Sequence, residues 1–485
     1  MKKRIVPALA GLSLLAGVLQ AAPAPVTISV DMSKPGNIIP AAFEGLSFET
    51  ALLLPAENGL HYFRPDNRAL ITLFHTLAIK SLRIGGNTGD RDAKKLPNEA
   101  DFDSLFAFAK AADVKVIYCL HLHNGTPQEA VRTAKYIMDH YAAQMDCFSI
   151  GQEPSAYPVE KKDTRPQNER MGEGHENNKY ATYREDWKTF ADAIIAAVPD
   201  VQFAGPGVHN NGNWARDFMT DFGRSNHVVL ITEHLYAGGS GNKVTSPESG
   251  RDRMLSGEFP RKYQRLYDSF VPMTISNGLP YRLEEVNNYF NGGAKDVSNT
   301  FASALWGLDF LHWWATHGAA GLNFHTGDKV AAGYALRPSK YTAFYSTPNG
   351  FDVRPLGYGI KAFELGSHGA MVPVTLSNPD KLNVNAYAVL GNDKMLYLTI
   401  INMEHGTKAR DGQISISSSG EKFSRGEVVS LTIPNHDVAA TSGETLGGAS
   451  IQNDGTWSGS WKPLESTTSL TVPAASAAII RLTTN

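Results

Sequence analysis

Eight short apolar runs, separated by segments with helical periodicity, are the feature that most restricts how this chain can fold. The runs cover residues 45–49, 81–86, 114–121, 147–154, 201–207, 228–236, 281–287 and 319–325. Strands that are apolar along most of their length and alternate with helices are typical of parallel sheets that helices cover. The pattern predicts an α/β protein with a closed (β/α)8 TIM barrel, and a doubly wound open sheet is the structural alternative.

Two of the segments between these runs have clear helical signals. In residues 126–145, Thr126 and Glu129 are spaced as a capping box and Pro127 occupies the first helical position. Residues 298–317 carry large apolar side chains at helical spacing. Both segments are therefore predicted to be barrel helices.

The two ends of the chain have a different pattern. From about Gly366 the helical periodicity stops, and short alternating strands with Gly, Ser and Asn turns predict a β-sandwich. Residues 26–32 alternate in the same way before the barrel begins, so we expect them to supply one sandwich strand. The predicted parts are a signal peptide (1–22), an N-terminal strand (23–40), a catalytic barrel (41–365) and a β-sandwich (366–485).

The N-terminus and the charge pattern limit where the protein acts and on what. Residues 2–4 are basic, residues 5–19 are apolar, and Ala21 and Ala22 follow, which predicts a cleaved signal peptide and a periplasmic or secreted protein. No later segment has about 20 uninterrupted apolar residues, so no membrane span is predicted. The net charge of -3, with both signs interspersed, predicts no nucleic-acid partner.

Polar residues at the predicted strand ends are the candidates for chemistry, because catalytic groups of such barrels project from the carboxyl ends of the strands. These residues are Glu49, Asn87, Asp90, His121, His123, Glu153, Glu233, His234, Tyr236, Glu285, Asn287 and His325. His121 and His123 have no apparent third ligand, so no metal or other cofactor is expected. Glu153 closes the fourth run and Glu285 lies near the end of the seventh.

Two carboxylates facing each other across a barrel mouth suit glycoside hydrolysis. One carboxyl group must donate a proton to the leaving oxygen, while the other must be ionised to attack the sugar or to activate water. The competing interpretation is a buried carboxylate paired with a barrel arginine such as Arg83. Glu284 and Glu285 are adjacent, and side-chain alternation predicts that only one of them faces a given cavity.

Several motifs resemble one known family. Residues 151–154 read Gly-x-Glu-Pro. The seventh run ends in an aromatic and glycine-rich turn, which residues 297–311 follow. The combination of these motifs resembles the retaining hydrolases of clan A. The turn and the helix after it closely resemble glycoside hydrolase family 79, which contains bacterial β-glucuronidases and heparanases. Residues 45–49 and 82–90 are also similar, and the resemblance covers nearly all of the chain after residue 22.

The resemblance implies roles for individual residues. Glu153 is the implied acid/base. Glu285 is the implied nucleophile, because the family's turn follows its nucleophile by five residues and Phe290 stands at that spacing here. The turn would hold a uronate carboxylate, since glycines allow close approach and present N–H groups. The remaining implied substrate-binding residues are Glu49, Asn87, Gln152, Tyr236, Phe290, Asn291, Gly292, Gly293 and either Tyr334 or Tyr341.

These observations predict a retaining exo-β-glucuronidase that acts on a glucuronide or a uronic-acid-containing oligosaccharide. An endo-acting uronidase and a neutral-sugar β-glycosidase stay open as alternatives. So does a catalytically impaired glycan-binding protein, because Gln152 stands where the family has asparagine and Phe290 where it usually has tyrosine.

Overall fold

The computed structural model describes residues 24–158, 179–328, 338–419 and 422–484. The predicted signal peptide, residues 1–22, and the candidate Tyr334 lie outside these ranges. Among the described helices, none combines the length and the apolarity that crossing a bilayer requires.

A closed barrel of eight parallel strands follows the first strand, β1 (Val26–Val30). The barrel strands are β2 (Glu44–Glu49), β3 (Ser81–Gly85), β4 (Lys115–Leu120), β5 (Met145–Ile150), β6 (Phe203–His209), β7 (Val228–Tyr236), β8 (Tyr281–Asn287) and β9 (Leu322–His325). The barrel prediction is therefore confirmed, and the open-sheet alternative is wrong because β9 pairs with β2 and closes the sheet.

Helices follow the barrel strands, as the sequence pattern predicts. They are α1 (Arg68–Thr76), α2 (Glu99–Ala112), α3 (Pro127–Tyr141), α4 (Lys179–Ala197), α5 (Gly212–Phe222), α6 (Pro247–Met254), α7 (Glu258–Ser276), α8 (Ala302–Thr316) and α9 (Pro355–Glu364). The predicted capping box at the start of α3 is present, with Glu129 N donating to Thr126 Oγ1 at 3.3 Å and Thr126 N donating to the Glu129 carboxylate at 3.1 Å.

The C-terminal part of the chain forms further sheets. Their strands are β10 (Phe344–Thr347), β11 (Gly350–Val353), β12 (Gly369–Val372), β13 (Val374–Ser377), β14 (Val384–Gly391), β15 (Leu396–Asn402), β16 (Gly412–Ser418), β17 (Phe423–Thr432), β18 (Thr445–Leu446), β19 (Lys462–Pro463), β20 (Ser469–Val472) and β21 (Ser476–Thr484). The strands of these sheets pair antiparallel, except for the parallel pair of β1 and β16. One sheet has the order β13-β1-β16-β20, so β1 belongs to this part, as predicted. Ile28 of β1 belongs to the same buried cluster as Ile400 and Ile480 of the larger sheet. The residue numbers given above for the domain boundaries stay a prediction.

Strand β8 departs from simple alternation at its two glutamates. Glu233 of β7 pairs with Leu283, but the next residue, His234, pairs with Glu285, so Glu284 is an extra residue in β8. Such a bulge allows neighbouring side chains to reach the same region. Both carboxylates lie beside the His234 ring but at opposite nitrogens, Glu284 at 3.6 Å from Nε2 and Glu285 at 3.8 Å from Nδ1. Only Glu285 lines the cavity at the carboxyl ends of the strands, so the prediction that one of the two glutamates faces a given cavity is confirmed.

Candidate active site

A cavity of about 340 Å³ opens at the carboxyl ends of the barrel strands. The predicted site residues that line it are Glu49, Asn87, Gln152, Glu153, Tyr236, Glu285, Phe290, Asn291, Gly292 and Tyr341. Gly293, which was also predicted, is not among the lining residues, and Arg91, His209 and His325 are lining residues without a predicted role. The fold therefore brings most of the predicted residues to one place.

Glu285 is held by donors on both carboxylate oxygens. Arg83 Nη1 and Gln152 Nε2 donate to Oε2 at 2.8 and 2.9 Å, and the Tyr236 hydroxyl donates to Oε1 at 2.9 Å. Burial by itself would raise the pKa of Glu285, but His325, His234, Arg83 and the hydrogen bond from Gln152 lower it well below its usual range. Glu285 is therefore ionised at neutral pH, as a nucleophile must be.

Glu153 lies in the turn after β5 with a left-handed backbone, φ 46° and ψ 55°. This conformation is strained for a glutamate and is stabilised by a hydrogen bond from Glu153 N to Gly207 O at 3.1 Å. His234 Nδ1 donates to Glu153 Oε1 at 3.0 Å. One oxygen of Glu153 and one of Glu285 lie within 4.8 Å of each other, so the two carboxylates face the same small volume.

His234 lies beside three carboxylates. Its Nδ1 contacts Glu153 and Glu285, and its Nε2 lies 3.6 Å from Glu284 Oε1, which also accepts a hydrogen bond from Thr232. Burial disfavours a charged imidazole, but Glu285, Glu153 and Glu284 outweigh burial and raise the pKa of His234 to about 10. At neutral pH this position therefore carries a positive charge between the two candidate catalytic carboxylates and the deeper Glu284.

The same geometry bears on metal binding. Ligand-type atoms of Glu153, His234 and Glu285 lie within 4.8 Å of one another, a spacing that a metal ion can bridge. Both nitrogens of an imidazolium are protonated, however, so a metal ion would first have to displace a proton from His234. Arg83 also competes for Glu285 Oε2. The arrangement fits proton transfer and displacement better than metal ligation.

Gln152 connects the nucleophile candidate to its surroundings. Its Oε1 accepts hydrogen bonds from Arg83 Nη2 and, at 3.2 Å, from Gly86 N, while its Nε2 donates to Glu285. Its backbone N donates to Asp90 Oδ2 at 2.7 Å. The glutamine side chain therefore reaches both Arg83 and Glu285 and contributes to their alignment.

The opposite wall carries Glu49, Asn87, Arg91 and His325. Glu49 Oε2 accepts hydrogen bonds from Thr88, and its other oxygen lies 3.6 Å from His325 Nε2. Arg91 Nη2 donates to Asn87 Oδ1 at 2.8 Å and forms no ion pair with a described residue. Arg91 is therefore the cavity arginine whose charge is available to a ligand.

The turn after β8 forms the rim of the cavity. Asn291, Gly292 and Gly293 have φ values of 60°, 74° and 83°, and the Phe290 ring packs edge-on against His209 at 5.5 Å between centroids. Gly293 packs instead against the backbone of Tyr341, which a Cβ would approach to 2.9 Å. The neighbouring Tyr289 does not present its hydroxyl to the cavity, since it is buried and its hydroxyl donates to Gly250 O at 2.8 Å.

Five residues of the site were not assigned by sequence reasoning. His234 and His325 were visible at strand ends, and Arg83 is a charged residue within an apolar run, which is itself a signal for a buried partner. Arg91 lies in a loop, and nothing in a single sequence places a loop residue over a particular cavity. His209 ends β6, two residues beyond the predicted run 201–207, so the search of strand ends stopped short of it.

Comparisons with known proteins agree with this architecture. No protein-family model matches the chain. A β-glucuronidase of Aspergillus niger is 24% identical over 277 residues, which cover 53% of this chain and 47% of that protein. The chain thus matches about half the length of this curated relative.

Solved structures are similar over nearly the whole chain. A 4-O-α-L-rhamnosyl-β-D-glucuronidase from Fusarium oxysporum has a TM-score of 0.68 at 17% identity and covers 94% of this chain and 99% of its own. A family 51 arabinofuranosidase from Xanthomonas axonopodis pv. citri has a TM-score of 0.66 at 15% identity and covers 95% of this chain and 100% of its own. At such identities the likeness shows the fold, a TIM barrel with an antiparallel sheet domain.

Proposed function

We propose that the protein is a retaining exo-β-glucuronidase in which Glu285 is the nucleophile and Glu153 the acid/base. The observation that carries this proposal is the pairing of an ionised, fully hydrogen-bonded Glu285 with Glu153, whose carboxylate oxygens approach within 4.8 Å in one cavity. Retaining enzymes hold their two carboxyl groups about 5–5.5 Å apart and inverting enzymes about 6.5–9.5 Å apart. A closest approach of single oxygens within 4.8 Å is compatible with the retaining separation.

The two steps follow from the positions of these groups. Glu285 attacks the anomeric carbon while Glu153 gives its proton to the leaving oxygen, so that the glycosidic bond breaks and a glycosyl-enzyme forms. Glu153 then takes a proton from water, and the resulting hydroxide releases the sugar from Glu285. Arg83, Gln152 and Tyr236 position Glu285 and stabilise its charge before the first step.

Recognition of a uronate is supported by two features of the cavity. Arg91 is an arginine without a described acidic partner, and a guanidinium binds carboxylates through two parallel hydrogen bonds. The N–H groups of Asn291 and Gly292 have no hydrogen-bond acceptor among the described residues and lie at the rim of the same cavity. Two of the similar proteins are named as glucuronidases, which agrees with this substrate class.

Trapping identifies the nucleophile. A glucuronate-configured mechanism-based inhibitor is expected to label Glu285, and peptide mass spectrometry reads the labelled residue. Glu285→Gln should abolish labelling, whereas Glu284→Gln should leave the labelled peptide unchanged. Labelling on Glu284 would contradict the assignment of β8.

A substrate panel tests the sugar and the mode of action. Aryl glucuronide should be preferred over aryl glucoside and aryl xyloside, and oligosaccharides should release single glucuronic acid units from a chain end. Preference for a neutral sugar would support the neutral-sugar alternative, and internal cleavage would support the endo-acting one. If glucuronide binds without turnover and Gln152→Asn restores turnover, the chain is better described as a glycan-binding protein.

We also propose that the protein is exported after cleavage of the predicted signal peptide. Sequencing the N-terminus of the extracellular protein tests this proposal.

A further inference from the structure

Glu284 is a buried carboxylate that the proposed reaction does not use. Its side chain is fully buried, and it is not among the residues that line the cavity of the candidate active site. Its Oε1 accepts a hydrogen bond from Thr232 Oγ1 at 3.0 Å, while its Oε2 has no hydrogen-bond partner among the described residues. Burying an ionised carboxylate is strongly unfavourable unless an opposite charge compensates for it.

His234 supplies that opposite charge. Of the described residues, only His234 forms an ion pair with Glu284, through its Nε2 at 3.6 Å from Oε1. This nitrogen has no hydrogen-bond partner among the described residues, so Glu284 is the anion that faces it. Burial by itself would raise the pKa of Glu284, but His234 and Arg83 outweigh burial and lower it. Glu284 is therefore an anion at neutral pH.

Two irregularities of the barrel make this contact possible. Glu284 is the extra residue of the bulge in β8. Gly207 lies where β6 shifts its register against β7, and a Cβ at this glycine would lie 2.6 Å from Glu284 Oε1 and 3.7 Å from His234 Nε2. The bulge thus carries the carboxylate to the imidazole, and the glycine leaves the space that the carboxylate fills.

The other titratable groups around the pair favour their uncharged forms. They come from β4, β5, α4, β6 and β7, and they are Cys119, Cys147, Tyr183, His209 and Glu233. Burial raises the pKa of the two thiols, the phenol and the carboxyl group, and it lowers the pKa of the imidazole. Arg282 is charged, but its guanidinium is bonded to Asn323 and to backbone carbonyls. The charge of His234 is therefore set by its three carboxylates and by Arg83.

Two of these three carboxylates change charge during the proposed reaction. In the first step Glu285 loses its negative charge by forming a bond with the anomeric carbon, and Glu153 gains one as its proton passes to the leaving oxygen. In the second step Glu153 takes a proton from water, and Glu285 leaves the sugar as a carboxylate. Glu284 takes part in neither step, so its negative charge beside His234 stays constant.

A constant imidazolium has a defined effect on Glu153. His234 Nδ1 donates to Glu153 Oε1 at 3.0 Å. When Glu153 is the acid, this bond places the acid proton on Oε2. When Glu153 is ionised and acts as the base, the positive charge of His234 stabilises its negative charge.

We propose that Glu284 is a positioning residue that keeps His234 positively charged through both steps, so that the imidazolium donates to Glu153 whichever catalytic carboxylate is ionised. The part that concerns the two steps rests on the proposed function. The control of the His234 charge by Glu284 is a property of the free protein and does not depend on turnover.

Nitrogen-15 NMR of histidine-labelled protein measures the charge of His234 directly. Glu285→Gln imitates the glycosyl-enzyme, because a neutral side chain replaces the ionised nucleophile. At about pH 7, His234 should be an imidazolium in the wild type and in Glu285→Gln and neutral in the Glu284→Gln/Glu285→Gln double variant. The spectrum of His234→Asn assigns the signal among the 15 histidines.

Two results of this measurement would overturn the proposal. One is an imidazolium that persists at about pH 7 in the double variant, which would mean that Glu284 is not needed for the charge. The other is a neutral His234 in Glu285→Gln, which would mean that Glu284 does not maintain the charge once the nucleophile is neutral.

The pH dependence of kcat/KM is the second readout. Glu284→Gln removes a negative charge beside the coupled His234 and Glu153, so this pair releases its first proton at lower pH. The basic limb should therefore move to lower pH, with a loss of about 10-fold or more at about pH 8 and a smaller loss at about pH 5. Glu284→Met, a second neutral variant, should move the limb in the same direction, and Glu284→Asp, which keeps the charge, should restore most of it.

Glu44→Gln is the matched control, because Glu44 is a buried barrel glutamate at the amino-terminal end of β2. It should leave the basic limb at its wild-type position. An equal loss of kcat/KM at every pH in Glu284→Gln would assign Glu284 a structural role and overturn the proposal. If no glucuronide is hydrolysed, the proposed function is refuted, and the NMR comparison still decides whether Glu284 holds the charge of His234.

Discussion

At the scale of single residues, the site is organised by charges that compensate one another. His234 lies beside the carboxylates of Glu285, Glu284 and Glu153. Arg83 of β3 adds a second positive charge, which is paired with Glu285. The arginine pairing considered as a competing interpretation is therefore present, but it coexists with an open cavity at Glu285. A salt bridge and the proposed catalytic role are compatible because the guanidinium lowers the pKa of Glu285 and so favours its ionised form.

Replacing Arg83 should move the pH dependence of activity. Without the positive charge of Arg83, the pKa of Glu285 rises, so the acidic limb of the kcat/KM profile of Arg83→Met should shift to higher pH. Activity at about pH 5 should fall more than activity at about pH 7, because protonated Glu285 cannot attack. Opening a buried ion pair also costs roughly 3–5 kcal/mol of stability.

The control for Arg83→Met is Arg282→Met, which removes another buried barrel arginine, one bonded to Asn323 and backbone carbonyls away from the cavity. It should reduce stability without shifting the acidic limb. An unchanged limb in Arg83→Met would mean that Arg83 does not control the charge of Glu285.

Arg91→Gln should weaken the binding of the uronate specifically. A charge-assisted hydrogen bond contributes roughly 1.5–3 kcal/mol, so KM for an aryl glucuronide should rise by about 10-fold or more. KM for any hydrolysed neutral glycoside should change little. Steady-state kinetics on both substrates measure the difference, and Lys95→Gln, at an exposed position outside the cavity, is the control. Parallel changes on both substrates would assign Arg91 a role other than carboxylate recognition.

At the scale of elements, the carboxyl ends of the strands position the site through close backbone approaches. Gly86 ends the β3 segment with φ 74°, and its N–H donates to Gln152. A Cβ at this position would lie 2.4 Å from Glu49 Cδ. The bulge in β8 has a comparable effect, since it brings Glu284 and Glu285 to the same imidazole. Local backbone geometry thus sets which side chains meet.

Gly86→Ala should therefore disable the site without unfolding the barrel. Gly86 combines φ 74° with ψ 176°, a backbone region that essentially only glycine adopts and that costs other residues on the order of 1–3 kcal/mol. The added methyl group also displaces Glu49. We expect a loss of at least about 10-fold in kcat/KM, since sub-ångström misplacement is enough to impair catalysis.

Gly59→Ala is the matched control for Gly86→Ala, because Gly59 has φ 78° and a Cβ added there would have no neighbouring atom within 4 Å. It should lower the melting temperature and keep its activity. Full activity of Gly86→Ala would show that the Glu49 position is not critical.

At the scale of the whole molecule, the barrel and the C-terminal sheets form a continuous buried contact. Asp309 of α8 accepts hydrogen bonds from Asn385 at 2.7 Å and Tyr387 at 2.8 Å on β14. The His312 ring stacks on Tyr387 at 4.9 Å. On the amino-terminal side of the barrel, Glu44 Oε1 accepts a hydrogen bond from Ser367 at 3.4 Å. These polar contacts tie the barrel to the segment that leads into the sheets.

Glu44 makes the stability of the molecule depend on pH. Burial raises its pKa from 4.5 to about 7, so the folded state holds a proton that the unfolded state loses earlier. Folding stability therefore falls as pH rises between those values, by roughly 3 kcal/mol at 1.36 kcal/mol per unit. Glu44→Gln should stabilise the protein by up to about that amount near pH 8 and have little effect near pH 4, as measured by denaturant unfolding. A pH-independent difference would contradict this origin.

The sequence by itself determined the barrel, the contribution of β1 to the C-terminal sheets and the strand ends that carry Glu153 and Glu285. Apolar runs, helix caps and strand alternation are local signals that a single sequence shows. Once the eight parallel strands close into a barrel, their carboxyl ends meet at one end of it. Only the tertiary structure decided that β8 bulges at Glu284, that Arg83 and His234 pair with Glu285, and that Arg91 and His209 line the cavity. Those features depend on register between strands and on loop positions, which arise from contacts between residues far apart in the chain.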